Sequence, residues 1–196
     1  MDLIWYDDQL IVAGPDSHAQ LATWQHGRHY VGLRFGAGVG PRVLGVPGHV
    51  LRDQRVPLAE VWAPALVQRL GDALSGTRDP AGVLERAAAE AMRRNPPPDP
   101  LGAYLLSRVA QGDRVGAIAD DVGLSVRQLH RRSLDTFGYG PKTLARIVRM
   151  MRALDLARAG EGWSDVAARA GYADQAHFSR DVKQLAGAPV SLLITR

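Results

Sequence analysis

Two stretches decide the fold: IADDVGLSVRQLHRR at residues 118–132 and VAARAGYADQAHFSR at residues 166–180. Ile118-Ala119-x3-Gly123-Leu124 matches Val166-Ala167-x3-Gly171-Tyr172 at an offset of 48. After the glycine the second copy gains one residue, so Leu129-x-Arg131 aligns with Phe178-x-Arg180 and Gly138 with Gly187. The residue types follow from packing. A helix-turn-helix crosses two helices through a turn of about 3–4 residues, and only a small side chain fits where they touch, hence Ala119 and Ala167. The turn needs a residue that accepts positive φ, hence Gly123 and Gly171. Ser125 and Asp174 stand where each second helix must begin, and both are good N-caps. Leu129 and Phe178 then point back into the core of each unit.

The outward face of each second helix is left for a partner. In the first copy Arg127, Gln128, His130 and Arg131 fall on or near it; in the second, Gln175, His177, Ser179, Arg180 and Lys183. Arg and Gln side chains make bidentate contacts to guanine and adenine edges in the major groove. The first turn of a recognition helix is the part that reaches bases, so Arg127, Gln128, Gln175 and Ala176 are the expected base readers. Arg131, Arg132, Arg180 and Lys183 lie further along and are expected to hold phosphates. Ser125 and His130 complete the set in the first copy, and His177 and Ser179 in the second. Between the copies, Lys142 to about Ala159 reads as one helix of roughly 18 residues, spanning about 27 Å. That is near the ~34 Å between successive major-groove faces on one side of B-DNA. One chain could therefore place both second helices in adjacent major-groove segments, with bending of the duplex helping both engage.

Working outward, Asn95-Pro96-Pro97-Pro98-Asp99-Pro100 is the clearest boundary, because four prolines in six residues favour a stiff, extended connector. Charge changes at the same place. Residues 1–95 hold 10 basic and 10 acidic residues, so the net charge of +4 lies wholly in the second half, which hints at a polyanionic partner there. Before the prolines, Leu3–Tyr6, Gln9–Ala13, Leu21–Trp24 and Tyr30–Phe35 read as short strands punctuated by turns. Residues 36–64 are rich in Gly and Pro and resist assignment, apart from a short helix over Pro41–Gly45. Pro64–Leu74 and Pro80–Arg94 carry helical spacing, each with proline near its start. The expected fold is α+β: a small, mostly-β N-terminal domain followed by an all-α domain with two helix-turn-helix units joined by a long helix.

Composition narrows the functions. No cysteine is present, which excludes thiol catalysis, a Cys-ligated zinc site and disulfides. No window approaches 18 uninterrupted apolar residues, and the start lacks the basic-then-apolar pattern of a signal peptide, so the expected location is the cytoplasm. No Ser/His/Asp constellation or paired carboxylates point to an enzyme, and no cofactor is expected. His26-x-x-His29 has metal-like spacing but brackets Gly27-Arg28 in what reads as a turn, so no metal site is assigned. Gly36-x-Gly38-x-Gly40 lacks the GK[ST] that a phosphate loop requires. Trp5, Tyr6, Trp24, Tyr30, Phe35 and Trp62 are candidate pocket residues for a small molecule, and a plain β-domain core explains them equally well.

At this point the residues resemble the AraC/XylS family of transcription regulators over about residues 99–193. The resemblance is strongest in Val166-Ala167-x3-Gly171-Tyr172-x-Asp174-Gln175-x-His177-Phe178-Ser179-Arg180, ending at Gly187-x-Pro189. In that family two helix-turn-helix units joined by a long helix bind DNA. Ser133 and Val182 stand where the family usually has Phe, a departure expected to weaken one packing contact in each unit. The stretch from Gly138 to Arg146 looks like an actinobacterial subgroup. The first half is similar to that subgroup's sensor domain through Met1–Trp5, Val12–Asp16, Val31–Phe35 and Leu51-Arg52-Asp53, shortened by strands that usually precede the position of Met1. The resemblance implies a sensor-like or interaction domain at 1–94, a linker at 95–100 and a double helix-turn-helix domain at 101–196. Double-stranded DNA is the implied partner, with a small-molecule effector, RNA polymerase and a second copy of the chain as further candidates, and no membrane. The competing expectation is a small-ligand-binding or protein-interaction module with vestigial DNA binding.

Overall fold

The structure is a computed structural model that describes residues 1–20 and 29–194. The described residues form a small antiparallel sheet of four strands and ten α-helices. The strands are β1 (Asp2–Tyr6), β2 (Gln9–Ala13), β3 (Val31–Arg34) and β4 (Arg55–Pro57), in the order β3-β1-β2-β4. Asp7 and Asp8 close the β1–β2 hairpin with φ of 46° and 57°. Two consecutive positive φ values are what a two-residue hairpin turn needs to follow the strand twist. The register pairs Leu3 with Val12 and with Leu33, and both Leu3 and Val12 are fully buried. The expected strand at Leu21–Trp24 lies outside the described residues. β4 falls in the stretch the sequence left unassigned, where Val56 pairs with Val12.

Three helices pack with this sheet, α1 (Gly40–Leu44), α2 (Pro64–Ser75) and α3 (Pro80–Arg94), and α4 (Pro100–Gln111) comes next in the chain. α3 starts and stops where the sequence places it. Asp79 caps it by accepting from the Gly82 N–H at 2.9 Å, with Pro80 in the first turn. Leu58, Leu74 and Leu84 join Leu3, Val12 and Val43 in one apolar core.

The remaining helices are α5 (Val115–Asp121), α6 (Val126–Phe137), α7 (Pro141–Arg158), α8 (Trp163–Ala170), α9 (Gln175–Ala186) and α10 (Val190–Leu193). The chain divides into two compact units. One comprises Met1–Asp16, 29–102 and Arg132–Tyr139; the other comprises 17–20, Ala103–Arg131 and 140–194. The division therefore falls within α6. Its second half belongs to the first unit for reasons visible in the packing. A Cβ on Gly38 would lie 3.2 Å from the ring of Phe137, one on Gly138 would strike Pro15, and the Tyr139 hydroxyl donates to the Asp16 carbonyl at 2.6 Å. His49 and Asp135 also pair, at 3.1 Å. In the second unit Ala153, Leu154, Val166, Phe178, Val182 and Val190 form the core where α7, α8, α9 and α10 meet. No helix among the described residues is long and apolar enough to cross a membrane.

Candidate nucleic-acid interface

The two copies close their first helices with the same backbone device. Leu124 N–H donates to the Ala119 carbonyl at 2.9 Å, and Tyr172 N–H to that of Ala167 at 2.8 Å, with Gly123 and Gly171 at φ of 66° and 83°. This is the helix ending in which a left-handed glycine lets the chain fold back on the last turn. Ala119 and Ala167 are buried to 1% exposure or less, as close helix crossing demands.

The second helices begin on side-chain caps. Asp174 accepts from the His177 N–H at 2.6 Å. Ser125 and Gln128 form a reciprocal pair: the Gln128 N–H donates to Ser125 Oγ at 3.2 Å, and the Ser125 N–H donates to Gln128 Oε1 at 2.8 Å. Such a box satisfies two donors that a helix start otherwise leaves open. Both helices end alike, at Gly138 and Gly187, whose N–H groups donate to Leu134 and Lys183 carbonyls at 2.9 and 3.0 Å.

A helix advances about 100° per residue, so positions i, i+3 and i+4 share a face. On α6 this face carries Arg127, His130 and Arg131, all exposed, while Leu129, Ser133 and Phe137 are buried on the other side. On α9 the equivalent face carries Ala176, Ser179, Arg180 and Lys183, opposite buried Phe178 and Val182. Arg127, Arg131, Arg180 and Lys183 make no side-chain hydrogen bond or ion pair among the described residues, so four cationic groups are uncommitted.

Other expected residues carry local duties. Gln128 gives its carbonyl oxygen to the Ser125 box. The His130 ring lies against Gly140, where a Cβ would come within 2.6 Å of Nδ1. Arg132 pairs with Asp99. His177 packs edge-on against Tyr172, ring centres 5.2 Å apart, and Gln175 Oε1 accepts from Ser164 Oγ at 3.4 Å. Ser133 and Val182, where the resemblance expects Phe, are both fully buried, and Ser133 Oγ donates to the Tyr139 carbonyl at 2.7 Å. Of the candidate pocket residues, Phe35 and Trp5 pack in or against the sheet core, Tyr30 stacks on Tyr6 at 5.4 Å, and Trp24 lies outside the described residues.

Sequence reasoning missed a charge network that fixes α9. Asp181, 6% exposed, sits on the buried stripe of α9. Its Oδ1 accepts from Arg146 Nε and Nη2 at 3.0 and 2.6 Å; its Oδ2 accepts from Arg149 Nη2 at 3.3 Å and from the Tyr172 hydroxyl at 3.1 Å. The Arg149 guanidinium also stacks over the Tyr172 ring at 4.3 Å. Burial opposes the Asp181 charge, but hydrogen bonds and attraction from Arg146, then Arg149, prevail and hold its carboxyl below the ordinary value. Burial, seconded by the Asp181 charge, pushes the Tyr172 phenol up to about 12, so it remains a donor. A carboxylate inside an apolar stripe, with two arginines one turn apart on α7, is the signal that points to this network.

Residues 118–195 match a protein family described as a helix-turn-helix domain. The HTH-type transcriptional activator RhaS of Escherichia coli O1:K1 / APEC is 36% identical over 78 residues, which cover 39% of this chain and 28% of that protein. RhaS of Shigella boydii serotype 18 matches to the same extent. The chain thus spans little more than a quarter of the length of these curated relatives. Among solved structures, ToxT from Vibrio cholerae O395 aligns with 18% identity and a TM-score of 0.42, covering 68% of this chain and 58% of ToxT. Residues 118–195, which hold both stretches of the repeat, are thus similar to a helix-turn-helix domain and to part of a transcriptional activator.

Proposed function

We propose that this chain is a sequence-specific DNA-binding transcription regulator of the AraC/XylS type, reading adjacent major-groove segments with α6 and α9. The observation that carries the reading is the duplicated cap, turn and exposed basic face on two helices that continue into α7 and α10 through matched glycine endings. Among the uncommitted cations, Arg127 stands in the first turn of α6 and Arg180 midway along α9. Arg127, Gln128, Gln175 and Ala176 occupy the first turns that approach bases, and Arg131, Arg132, Arg180 and Lys183 the positions that approach phosphates. α7, at 18 residues and ~27 Å, has the length to bridge two such segments. The role of RhaS as a transcriptional activator supports regulation, with RNA polymerase, a second copy and a small-molecule effector as further partners and the cytoplasm as the location.

The test selects binding sites from a random duplex pool and measures affinity by fluorescence anisotropy. Arg127→Ala should cost about 1–3 kcal/mol and relax preference at one base position. Arg180→Ala should weaken all sequences alike and lower the salt slope by about 1. Unchanged affinity in both variants, with helical content retained by circular dichroism, rejects the assignment.

A further inference from the structure

The N-terminal unit holds a groove of about 660 Å³ that is lined by Trp62 but by none of the other aromatic residues the sequence suggested for a pocket. Its floor is Val43 and Leu44 of α1, Leu66 and Leu70 of α2, and Ala87 and Ala91 of α3, with Val61 and Trp62 closing one side. The volume falls in the range of small-molecule sites, which bury an apolar body and orient it by a few polar groups.

The polar groups here have one sign in excess. Leu66, Arg69, Leu70 and Ala73 form one helical stripe, and Val83, Arg86, Ala87, Glu90, Ala91 and Arg94 another. A surface helix normally turns its charges away from its apolar stripe; on α2 and α3 the groove-facing stripes themselves carry three arginines and one glutamate. Glu90 is taken by Arg94. Arg86 reaches Asp79 only at 3.9 Å, with both side chains highly exposed, and Arg69 makes no side-chain hydrogen bond or ion pair among the described residues. Two guanidiniums are therefore weakly committed beside an apolar floor, and a guanidinium binds a carboxylate through paired, charge-assisted hydrogen bonds.

We propose that this groove binds a small amphipathic carboxylate, its apolar body on the Leu66–Leu70 and Ala87–Ala91 floor and its carboxylate between Arg69 and Arg86. This deepens the small-molecule part of the proposed function and rests on it for physiological meaning, though not for its test. The test titrates the full chain, without DNA, with 1-naphthoate and decanoate and with the uncharged 1-naphthamide and decanamide, by calorimetry. The carboxylates should bind with one-to-one saturation at least tenfold more tightly than the matched amides. Arg69→Ala should remove that preference while leaving amide affinity and the melting temperature unchanged. Equal affinity for acid and amide, undiminished carboxylate binding in Arg69→Ala, or no saturable binding at millimolar probe overturns the proposal. So does sedimentation showing a dimer that excludes the probes, since the groove would then belong to a second copy.

Discussion

Replacing Asp181 by Ala should weaken the helical half of the molecule by about 2–3 kcal/mol. The figure comes from the contacts. Asp181 is 6% exposed and accepts four hydrogen bonds, three of them from the guanidiniums of Arg146 and Arg149. Removing one member of a fully buried charged pair costs roughly 3–5 kcal/mol, because the other is stranded without water. Arg146 and Arg149 are 36% and 29% exposed, so water recovers part of their hydration and the cost drops below that range. A loss of about 2–3 kcal/mol lowers the folding constant roughly 30- to 150-fold. In urea unfolding followed by circular dichroism it moves the midpoint down by about 1 M at an unchanged slope. Asp181→Asn, which keeps the shape and the Tyr172 contact, should lose less. A cycle with Arg146→Ala isolates the pair: the double variant should be more stable than additivity predicts, by more than the ~0.5 kcal/mol scatter of independent sites. A midpoint for Asp181→Ala within ~0.5 kcal/mol of the parent, or strict additivity in the cycle, refutes the claim that this carboxylate fixes α9.

The same network sets a pH dependence. A carboxyl whose folded value lies below its ordinary 3.8 contributes stability that is complete above that value and disappears as pH falls through the folded value, so urea midpoints between pH 5 and pH 3 should fall more steeply in the parent than in Asp181→Asn. Two glycines with similar φ should respond unequally to alanine: at Gly171 (φ 83°) a Cβ meets nothing within 4 Å and the cost is the backbone's ~1 kcal/mol, whereas at Gly138 (φ 80°) it would lie 2.3 Å from Pro15 Cγ, so thermal unfolding should show a loss at least twice as large.

What the sequence revealed, and what it hid, divides by the range of the interaction. The repeat was legible because a tight helix crossing leaves little choice at Ala119, Gly123, Ala167 and Gly171. α3 was legible to the residue because Asp79-Pro80 starts it and Asn95-Pro96 stops it. Short-range chemistry sufficed in each case. β4 was hidden because three residues ending in Pro57 carry no periodicity; Val56 becomes part of a strand only by meeting Val12, 44 residues earlier. The Asp181 network was hidden for the same reason, since its arginines lie 32 and 35 residues away. One contact on the basic faces was legible but overlooked. The sequence grouped Gln128 with Arg127, yet its carbonyl oxygen is held by Ser125, a contact that the Ser-x-x-Gln spacing signals once read as a capping box.

The two copies share a sequence device but are secured by different means. α9 is fixed within its own compact unit by a buried carboxylate answered from α7, an arrangement that holds as long as Asp181 stays charged. Among the described residues, α6 carries no buried carboxylate of this kind. Its second half and the turn after it, Arg132–Tyr139, belong to the compact unit of the sheet, through Phe137 beside Gly38, Gly138 against Pro15 and the Tyr139 hydroxyl on the Asp16 carbonyl. The division between the compact units thus falls between Arg131 and Arg132, so the arginines of the exposed face of α6 belong to one unit and the buried end of the helix to the other.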